Sequence, residues 1–206
     1  MDLLVFGASG RTGRRVLAAA RAQGVHVRAF VRDRASVDAS IDTIVGDVTR
    51  LEDVAAAVRP NDAVVSALGG DKSAQPGHAM SGGMANIVAA MRAASASRVV
   101  AVAGAGVLQA DVARKRHELK SYPAQFRAVG AEHQAMLAAL EASPLAWLLV
   151  CTPDLVEGDA QEQIHAMRDF LPNGSGRVTT GDVAALLLRE ALTPTHQRTR
   201  LGVNGV

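Results

Sequence analysis

The stretch "VFGASGRTGRRV", residues 5–16, carries three glycines at regular spacing directly after a short apolar run. At the junction of a strand and a helix, such glycines have separate roles. Gly7 permits a tight turn, Gly10 leaves the backbone open to a pyrophosphate, and Gly13 lets the helix pack closely on the strand. The first helical turn then offers free N–H groups and a partial positive charge to phosphates. The stretch therefore predicts a dinucleotide-binding loop, and the alternative interpretation is a flexible structural turn.

Short apolar segments alternate along the chain with segments of helical periodicity. The predicted strands are Leu3–Phe6, Val25–Val31, Asp42–Val45, Ala63–Leu68, Arg98–Ala103 and Trp147–Cys151. The predicted helices are Thr12–Gln23, Leu51–Val58, Ser81–Ala94, Gly130–Ala142 and a last helix over residues 181–192. Such alternation implies parallel strands joined by right-handed crossovers. We therefore predict an α/β fold, a doubly wound parallel sheet of the Rossmann type in the order 3-2-1-4-5-6, as one NAD(P)-binding domain over residues 1–206.

Two stretches lack clear periodicity, Val107–Arg127 and Asp159–Arg177. We expect them to be irregular segments on the substrate side of the sheet. Thr49 with Glu52 resembles a capping box for the second helix, and Thr180 is predicted to cap the last one. These caps would fix where the two helices begin.

The composition excludes several function classes. The 206 residues are 49% apolar with a net charge of +2, and the basic residues are scattered without interleaved aromatic residues. This pattern argues against a nucleic-acid partner. The N-terminal sequence lacks a cationic leader and a long apolar stretch, so neither a signal peptide nor a membrane span is predicted. The six histidines show no ligand spacing, so no metal site is predicted.

The single cysteine, Cys151, cannot form an internal disulfide, which suits a reducing cytoplasm. Because it ends a predicted strand, we interpret it as a small buried apolar residue, with a redox thiol as the alternative. We expect a cytoplasmic protein that is a monomer or a homodimer. Neither nucleic acid nor a membrane is predicted as a partner.

The end of the second strand, "FVRD", bears on the choice of cofactor. In an NAD site this position offers a carboxylate to the ribose 2′-hydroxyl, whereas here Arg32 comes first. A guanidinium matches a 2′-phosphate in geometry and charge, so the sequence favours NADP(H). Arg14 would supply a second cation, whereas Asp33 argues for NAD unless it caps a turn. The alternative for Arg32 is a solvated surface position.

Further cofactor contacts are predicted at other strand ends. Asp47 would accept from the adenine amino group and Val48 would pack on the ring, or Asp47 is a turn residue. The small residues of "ALGG", residues 67–70, would let a nucleotide lie across the sheet edge. The remaining predicted contacts are donors of the glycine loop and two residues of "ALGG", namely Ser9, Arg11, Thr12, Leu68 and Gly69.

With these residues placed, the chain resembles the atypical short-chain dehydrogenase/reductases that bind NAD(P)H, and is most similar to the flavin reductase/biliverdin-IXβ reductase type. The matching stretches are "FGASGRTG", "VRD", "VGDV", "MSGGMANIVAAMRA", "RVVAVAG" and "AVGAEHQAML". The resemblance implies NADPH use, reduction of a flavin or related planar acceptor, and cofactor contacts at His133 and Pro153. In that type a Ser stands at the position of Gly104 and a His at that of Asp154, and both line the substrate site.

The resemblance therefore predicts Gly104 and Asp154 as substrate-binding positions, with Gly104 leaving room for a flat ring. Typical short-chain dehydrogenases protonate a carbonyl with a Tyr and a Lys four residues apart. The only tyrosine is Tyr122, and Phe126 stands four residues later, so this pair is absent. Hydride transfer to a flavin or quinone needs no strong protein acid, since solvent protonates the product. No catalytic residue is predicted.

Three functions compete at this point. The first is an NADPH-dependent reductase of a planar acceptor. The second is a non-catalytic NAD(P)-binding sensor, which the missing Tyr/Lys pair favours. The third is an isomerase or epimerase with a permanently bound cofactor, against which the short C-terminal region argues.

Two other features keep alternative interpretations. The basic cluster Arg114–Lys120 is a solvated helix face or recognises an acidic substrate tail. Asn86 either bonds backbone near the fourth strand or orders a water beside the cofactor. The position of each feature in the fold distinguishes between its two interpretations.

Overall fold

The computed structural model of the protein describes residues 2–69 and 79–206. Its strands are β1 (Leu3–Phe6), β2 (Val27–Val31), β3 (Asp42–Val45), β4 (Ala63–Ser66), β5 (Arg98–Gly104), β6 (Ala146–Thr152), β7 (Asp154–Val156), β8 (Ile164–Arg168), β9 (Arg177–Thr179) and β10 (Thr199–Gly205). Its helices are α1 (Arg11–Ala22), α2 (Leu51–Ala57), α3 (Ser81–Ala93), α4 (Arg127–Glu141) and α5 (Thr180–Leu192). Gly70 of the "ALGG" prediction lies outside the described residues.

The central sheet has the strand order β3-β2-β1-β4-β5-β6-β10-β8. Its first six strands are parallel and follow the predicted order 3-2-1-4-5-6, so the doubly wound α/β fold is confirmed. Strand β10 continues the sheet in parallel to β6, and β8 closes the edge in the antiparallel direction. Strands β7 and β9 form a separate parallel pair.

The sequence did not predict the two outer strands of this sheet. Strand β10, "TRLGVNG", contains glycine and asparagine, which usually interrupt strands. Strand β8 lies inside the predicted irregular stretch Asp159–Arg177, and all but its first residue are exposed because it is an edge strand. The other irregular stretch, Val107–Arg127, contains short 3-10 turns and isolated bridges at Gln109, as expected of a segment without periodicity, and its last residue begins α4.

The predicted cap of the last helix is wrong by one residue. The Oγ1 atom of Thr179 accepts from the backbone N–H of Asp182 at 3.0 Å, so Thr179 is the N-cap of α5. Thr180 already belongs to the first helical turn, and its hydroxyl donates to the carbonyl of Gly158 at 3.2 Å. Judged from the sequence, either of the two adjacent threonines could cap the helix. Thr179 is the cap because its backbone is extended, as an N-cap residue requires.

The predicted capping box of α2 is also wrong. Arg50 occupies the N-cap position and makes no capping hydrogen bond through its side chain. The Thr49 hydroxyl donates instead to the Asp47 carboxylate at 2.8 Å. The Glu52 carboxylate accepts from the Arg50 guanidinium at 2.7 and 2.9 Å rather than returning to the helix start.

Helices cover both faces of the sheet and create two apolar cores. Along β1, Leu4 and Phe6 pack in the core beneath α2, α3 and α4, whereas Leu3 and Val5 pack beneath α1 and α5. All four residues have no exposed surface, which explains why the strand is apolar throughout. Within residues 2–69 and 79–206, no helix combines the length and the apolar character that crossing a membrane requires.

A buried ion pair fastens α5 to the sheet. The Arg98 guanidinium on β5 donates to the Glu190 carboxylate at 3.2 Å, to the Glu190 carbonyl, and to the carbonyls of Ala146 and His196. Burial disfavours the ionised Glu190, but hydrogen bonds from Thr195 and His196 outweigh this effect and lower its pKa to about 2. The pair is therefore charged at neutral pH.

Candidate functional site

Two of the three glycines are required by the fold itself. Gly7 has a φ of +71°, and a Cβ at this position would lie 2.5 Å from the carbonyl oxygen of Ala67. A Cβ on Gly13 would overlap the carbonyl oxygen of Gly7 and lie 2.8 Å from the Cα of Ala8. Gly13 therefore allows α1 to pack directly on the turn that follows β1, in the manner that the sequence predicts.

Gly10 differs, because the fold does not forbid a side chain there. Its backbone is extended (φ −74°, ψ 170°), and a Cβ would meet only the carbonyl oxygen of Gly7, at 3.2 Å. Gly10 is the N-cap of α1, which has no side-chain cap and no acidic residue in its first turn. The helix N-terminus therefore presents bare backbone N–H groups and a positive dipole end, a suitable surface for a phosphate.

The glycine loop borders a large cleft along the carboxyl ends of the parallel strands, which we call the edge cleft. Its volume is about 1740 Å³. All but one of the residues predicted to bind cofactor or substrate line this cleft: Gly7, Ser9, Gly10, Arg11, Thr12, Arg32, Asp47, Val48, Leu68, Gly69, Gly104, His133, Pro153 and Asp154. The exception is Gly13, which lies buried under the loop.

At one end of the edge cleft, Arg32 follows β2 and is exposed to it. The Asp33 carboxylate accepts from the backbone N–H of Ala35 at 2.9 Å and caps a 3-10 turn. Asp33 therefore has the structural role that the sequence left open. Arg14, considered as a second cation, is exposed on α1 and does not line the cleft.

The loop after β3 is held in place by hydrogen bonds. The Asp47 carboxylate accepts from the backbone N–H and the hydroxyl of Thr49 at 2.9 and 2.8 Å, and these bonds lower its pKa. The Asn86 side chain on α3 donates to the carbonyl of Val48 at 2.9 Å. Asn86 therefore bonds backbone, as one interpretation held, but at the loop after β3 rather than near the fourth strand.

At the other end of the cleft, the His133 ring on α4 packs against the end of β5. The backbone N–H of Gly104 donates to His133 Nδ1 at 3.3 Å, and a Cβ on Gly104 would lie 3.2 Å from the same nitrogen. Burial lowers the pKa of His133 to about 4. The ring is therefore neutral at physiological pH, and since Nδ1 accepts, its proton is on Nε2.

We expect His133 to titrate near pH 4 in NMR spectra of the imidazole protons, with His133→Gln providing the assignment. Because this pKa lies below the ordinary value of 6.5, the unfolded chain binds more protons between pH 6.5 and 4, and stability falls as the pH decreases through that window. In Gly104→Ala the new methyl group should displace the ring and raise its pKa. Titration of the unmodified protein near pH 6.5 would contradict this environment.

A wall of the edge cleft beside β5 comes from the two irregular stretches that the sequence placed on the substrate side, although it did not name the individual residues as site residues. Arg116, Tyr122, Phe126 and Leu171 line the cleft there. A Cβ on Gly106 would lie 2.6 Å from the Tyr122 hydroxyl oxygen, so this glycine makes room for the ring. The charged cluster around Arg116 was a usable signal, whereas Leu171 carries none because it comes from a distant part of the chain.

The structure also places the other groups that the sequence analysis considered, namely the Cys151 thiol, the Asp154 carboxylate and possible metal ligands. Cys151 has no exposed surface, and burial raises the pKa of its thiol, so the apolar interpretation holds. Asp154 lies at the start of β7, where its carboxylate is 3.8 Å from Arg177 Nε. In the described part of the chain, no three His, Cys, Asp or Glu side chains gather closely enough to hold a metal ion.

The chain resembles known proteins both in sequence and in fold. A family described as NAD(P)H-binding matches residues 7–194. YwnB of Bacillus subtilis (strain 168), an uncharacterised protein, is 24% identical over 212 residues, which cover 98% of each chain.

Two solved structures share the fold over nearly their whole length. ChuY of Escherichia coli O157:H7, described as an anaerobilin reductase, superposes with a TM-score of 0.81 at 22% identity, covering 98% of this chain and 97% of that one. SP1627 of Streptococcus pneumoniae TIGR4, described as a candidate NADH-flavin reductase, superposes with a TM-score of 0.79 at 20% identity, with both chains fully covered. At these identities the likeness shows the fold.

Proposed function

This chain belongs to the NAD(P)H-binding family, and on that premise we propose that it is an NADPH-dependent reductase that transfers a hydride to a flavin, a quinone or a similar planar acceptor. One observation carries the proposal. A single cleft joins the bare N-terminus of α1 and Arg32 at one end to an aromatic wall beside Gly104 at the other. Such a cleft has room for a dinucleotide and a second flat molecule.

The residues of the edge cleft suit NADPH from end to end. The N–H groups at Gly10 would hold the pyrophosphate, and Arg32 would pair with the 2′-phosphate. Val48 would pack on the adenine ring, and the Asp47 carboxylate would accept a hydrogen bond from the adenine amino group. His133, with its proton on Nε2, would donate to the nicotinamide ribose. When bound, the cofactor would supply the hydride, and the protein would hold the cofactor and the acceptor in position.

The proposed chemistry needs no protein acid of the usual kind. Among the residues that line the cleft, no tyrosine has a lysine four residues later. A reduced flavin or quinone takes its proton from solvent, which reaches this open cleft. The space that the missing side chain of Gly104 leaves is taken by the His133 ring, so Gly104 itself does not make the room for a flat ring that the sequence suggested. The contribution of the chain would be to hold the acceptor between the end of β5 and the wall formed by Tyr122 and Phe126.

We predict that Arg32→Ala weakens NADPH binding by about 1.5–3 kcal/mol, the scale of a hydrogen bond to a charged group, and leaves NADH binding nearly unchanged. The physical reason is that only NADPH carries the 2′-phosphate. Calorimetric titration with both coenzymes measures the difference. The matched control is Arg34→Ala, an exposed neighbour that does not line the cleft. Equal losses for NADPH and NADH would contradict the assignment of Arg32.

The reductase activity is tested by following NADPH absorbance after addition of FMN, riboflavin or a series of quinones. The proposal predicts acceptor-dependent oxidation of NADPH. Absence of turnover across the whole series would contradict it. Similar affinities for NADP⁺ and NADPH together with no turnover would favour the non-catalytic sensor, for which the missing Tyr/Lys pair is the supporting observation. The names that ChuY and SP1627 bear support the reductase.

A further inference from the structure

The basic cluster Arg114–Lys120 is not a uniform solvated face. The Arg114 guanidinium pairs with the Asp111 carboxylate at 2.6 Å, and Lys115 Nζ donates to the Gln134 side chain at 3.2 Å. Arg116 alone among the cluster lines the edge cleft. The residue is partly buried, and its guanidinium makes no hydrogen bond or ion pair with any residue of 2–69 or 79–206. A partly buried cation without a counter-charge suits an anion that enters the cleft.

Arg116 lies at the acceptor end of the cleft. Its backbone N–H donates to the carbonyl of Leu108 at 2.8 Å, in the segment directly after β5. Strand β5 is two positions from β1, where the glycine loop begins, and three from β2, which precedes Arg32. At about 4.8 Å per neighbouring strand, the end of β5 is on the order of 10 Å from the glycine loop and 14 Å from Arg32. The phosphates of the cofactor therefore have other cations and donors nearer to them.

Aromatic rings lie on the same wall as Arg116. Tyr122 and Phe126 both line the cleft, and the Phe126 side chain is 49% exposed, unusual for a large apolar residue. An exposed ring on a cleft wall suits stacking against a flat ligand. Within residues 2–69 and 79–206, the carboxylates that line the cleft are Asp47, which is at the adenine end, and Asp154, which pairs with Arg177. Neither opposes an anion at Arg116.

We propose that Arg116 anchors an anionic group of the acceptor, so that the preferred substrate is a planar ring system bearing a phosphate, carboxylate or sulfonate. This inference rests on the proposed reductase function and names the substrate class of the same site. Tyr122 and Phe126 hold the ring, and the guanidinium of Arg116 holds the anion at its side. Arg116 thus determines specificity and takes no part in the hydride transfer.

The test compares pairs of planar ligands that differ in charge. FMN and riboflavin share one ring system, and anthraquinone-2-sulfonate is paired with neutral 2-(hydroxymethyl)anthraquinone. Dissociation constants are measured by calorimetry on the whole protein with NADP⁺ present. We expect the anionic member of each pair to bind at least about tenfold more tightly, the size of one hydrogen bond to a charged group. Arg116→Met should remove this preference and leave the binding of the neutral member unchanged.

Arg114→Met is the matched control, because Arg114 belongs to the same segment but does not line the cleft. It should keep the preference for the anionic ligands. Binding of both members with equal affinity, or a preference that survives in Arg116→Met, would overturn the role of Arg116 while the reductase proposal stands. Failure of every planar ligand to bind would overturn both proposals. In turnover, Arg116→Met should raise the KM for FMN and leave kcat nearly unchanged.

Discussion

Gly13→Ala is expected to destabilise the protein by about 3 kcal/mol, the upper end of the usual range for overpacking, because the atoms it meets are backbone, and to abolish coenzyme binding. The added Cβ would overlap the carbonyl oxygen of Gly7 and approach the Cα of Ala8 to 2.8 Å. These are backbone atoms of the turn after β1, so no side-chain rotation relieves the overlap. Helix α1 must then move away from the sheet and carry its N-terminus with it.

Urea denaturation measures the loss of stability, and calorimetric titration with NADPH measures the loss of binding. Gly69→Ala provides the control for stability, because a Cβ at Gly69 has no atom of residues 2–69 or 79–206 within 4 Å although the residue lines the same cleft. Its unfolding midpoint should match that of the unmodified protein. A Gly13→Ala protein with unchanged midpoint and affinity would contradict the packing described for the glycine loop.

Arg98→Met is expected to lower the free energy of unfolding by about 3–5 kcal/mol, the range observed when one partner of a buried ion pair is removed. The variant leaves the buried Glu190 carboxylate without its cation. It also removes donors from the carbonyls of Glu190, Ala146 and His196. The methionine fills part of the volume, so the loss arises from unpaired polar groups rather than from a cavity.

The matched control for this prediction is Arg50→Met. Arg50 forms a comparable pair with Glu52 at 2.7 Å, but both side chains are more than half exposed. Exposed pairs of this kind contribute little to stability, because water and salt screen them. Denaturant unfolding of the two variants side by side should therefore separate a large effect from a small one. Equal midpoints would show that the buried pair is not what fastens α5 to β5.

The sequence predicts the first six strands well because their signal is local. Each is a short, mostly apolar run, helical segments follow β1, β3, β4 and β5, and parallel strands joined by crossovers admit few orders. Strands β10 and β8 carry no such signal. Gly202 in β10 is needed because a Cβ there would overlap the carbonyl oxygen of Phe170, yet in a sequence a glycine argues against a strand. Only the folded chain shows why that glycine is present.

The cofactor side of the candidate site was predictable for the same reason. Its residues directly follow strands in the order of the sheet, so the loop after each strand falls on one edge. The acceptor side was predictable only as two irregular segments on the substrate side. Its individual residues were not, because Arg116, Tyr122 and Phe126 lie in a segment without periodicity, and Leu171 reaches the wall from far along the chain. Their proximity is a product of tertiary packing, which no local pattern encodes.

The central claim is that a pyrophosphate binds against bare backbone at the N-terminus of α1, and calorimetric titration of the protein and of Gly10→Ala with NADPH tests it most directly. A Cβ at Gly10 would lie 3.2 Å from the carbonyl oxygen of Gly7, which is far less crowded than a Cβ at Gly7 or Gly13 and requires a shift of only a few tenths of an ångström. We predict that the unmodified protein binds NADPH and that Gly10→Ala unfolds at the same midpoint but binds at least about tenfold more weakly, as expected when hydrogen bonds to a charged group are lost. Equal affinity in the two proteins, or no binding of any nicotinamide coenzyme to the unmodified protein at millimolar concentration, would contradict the account.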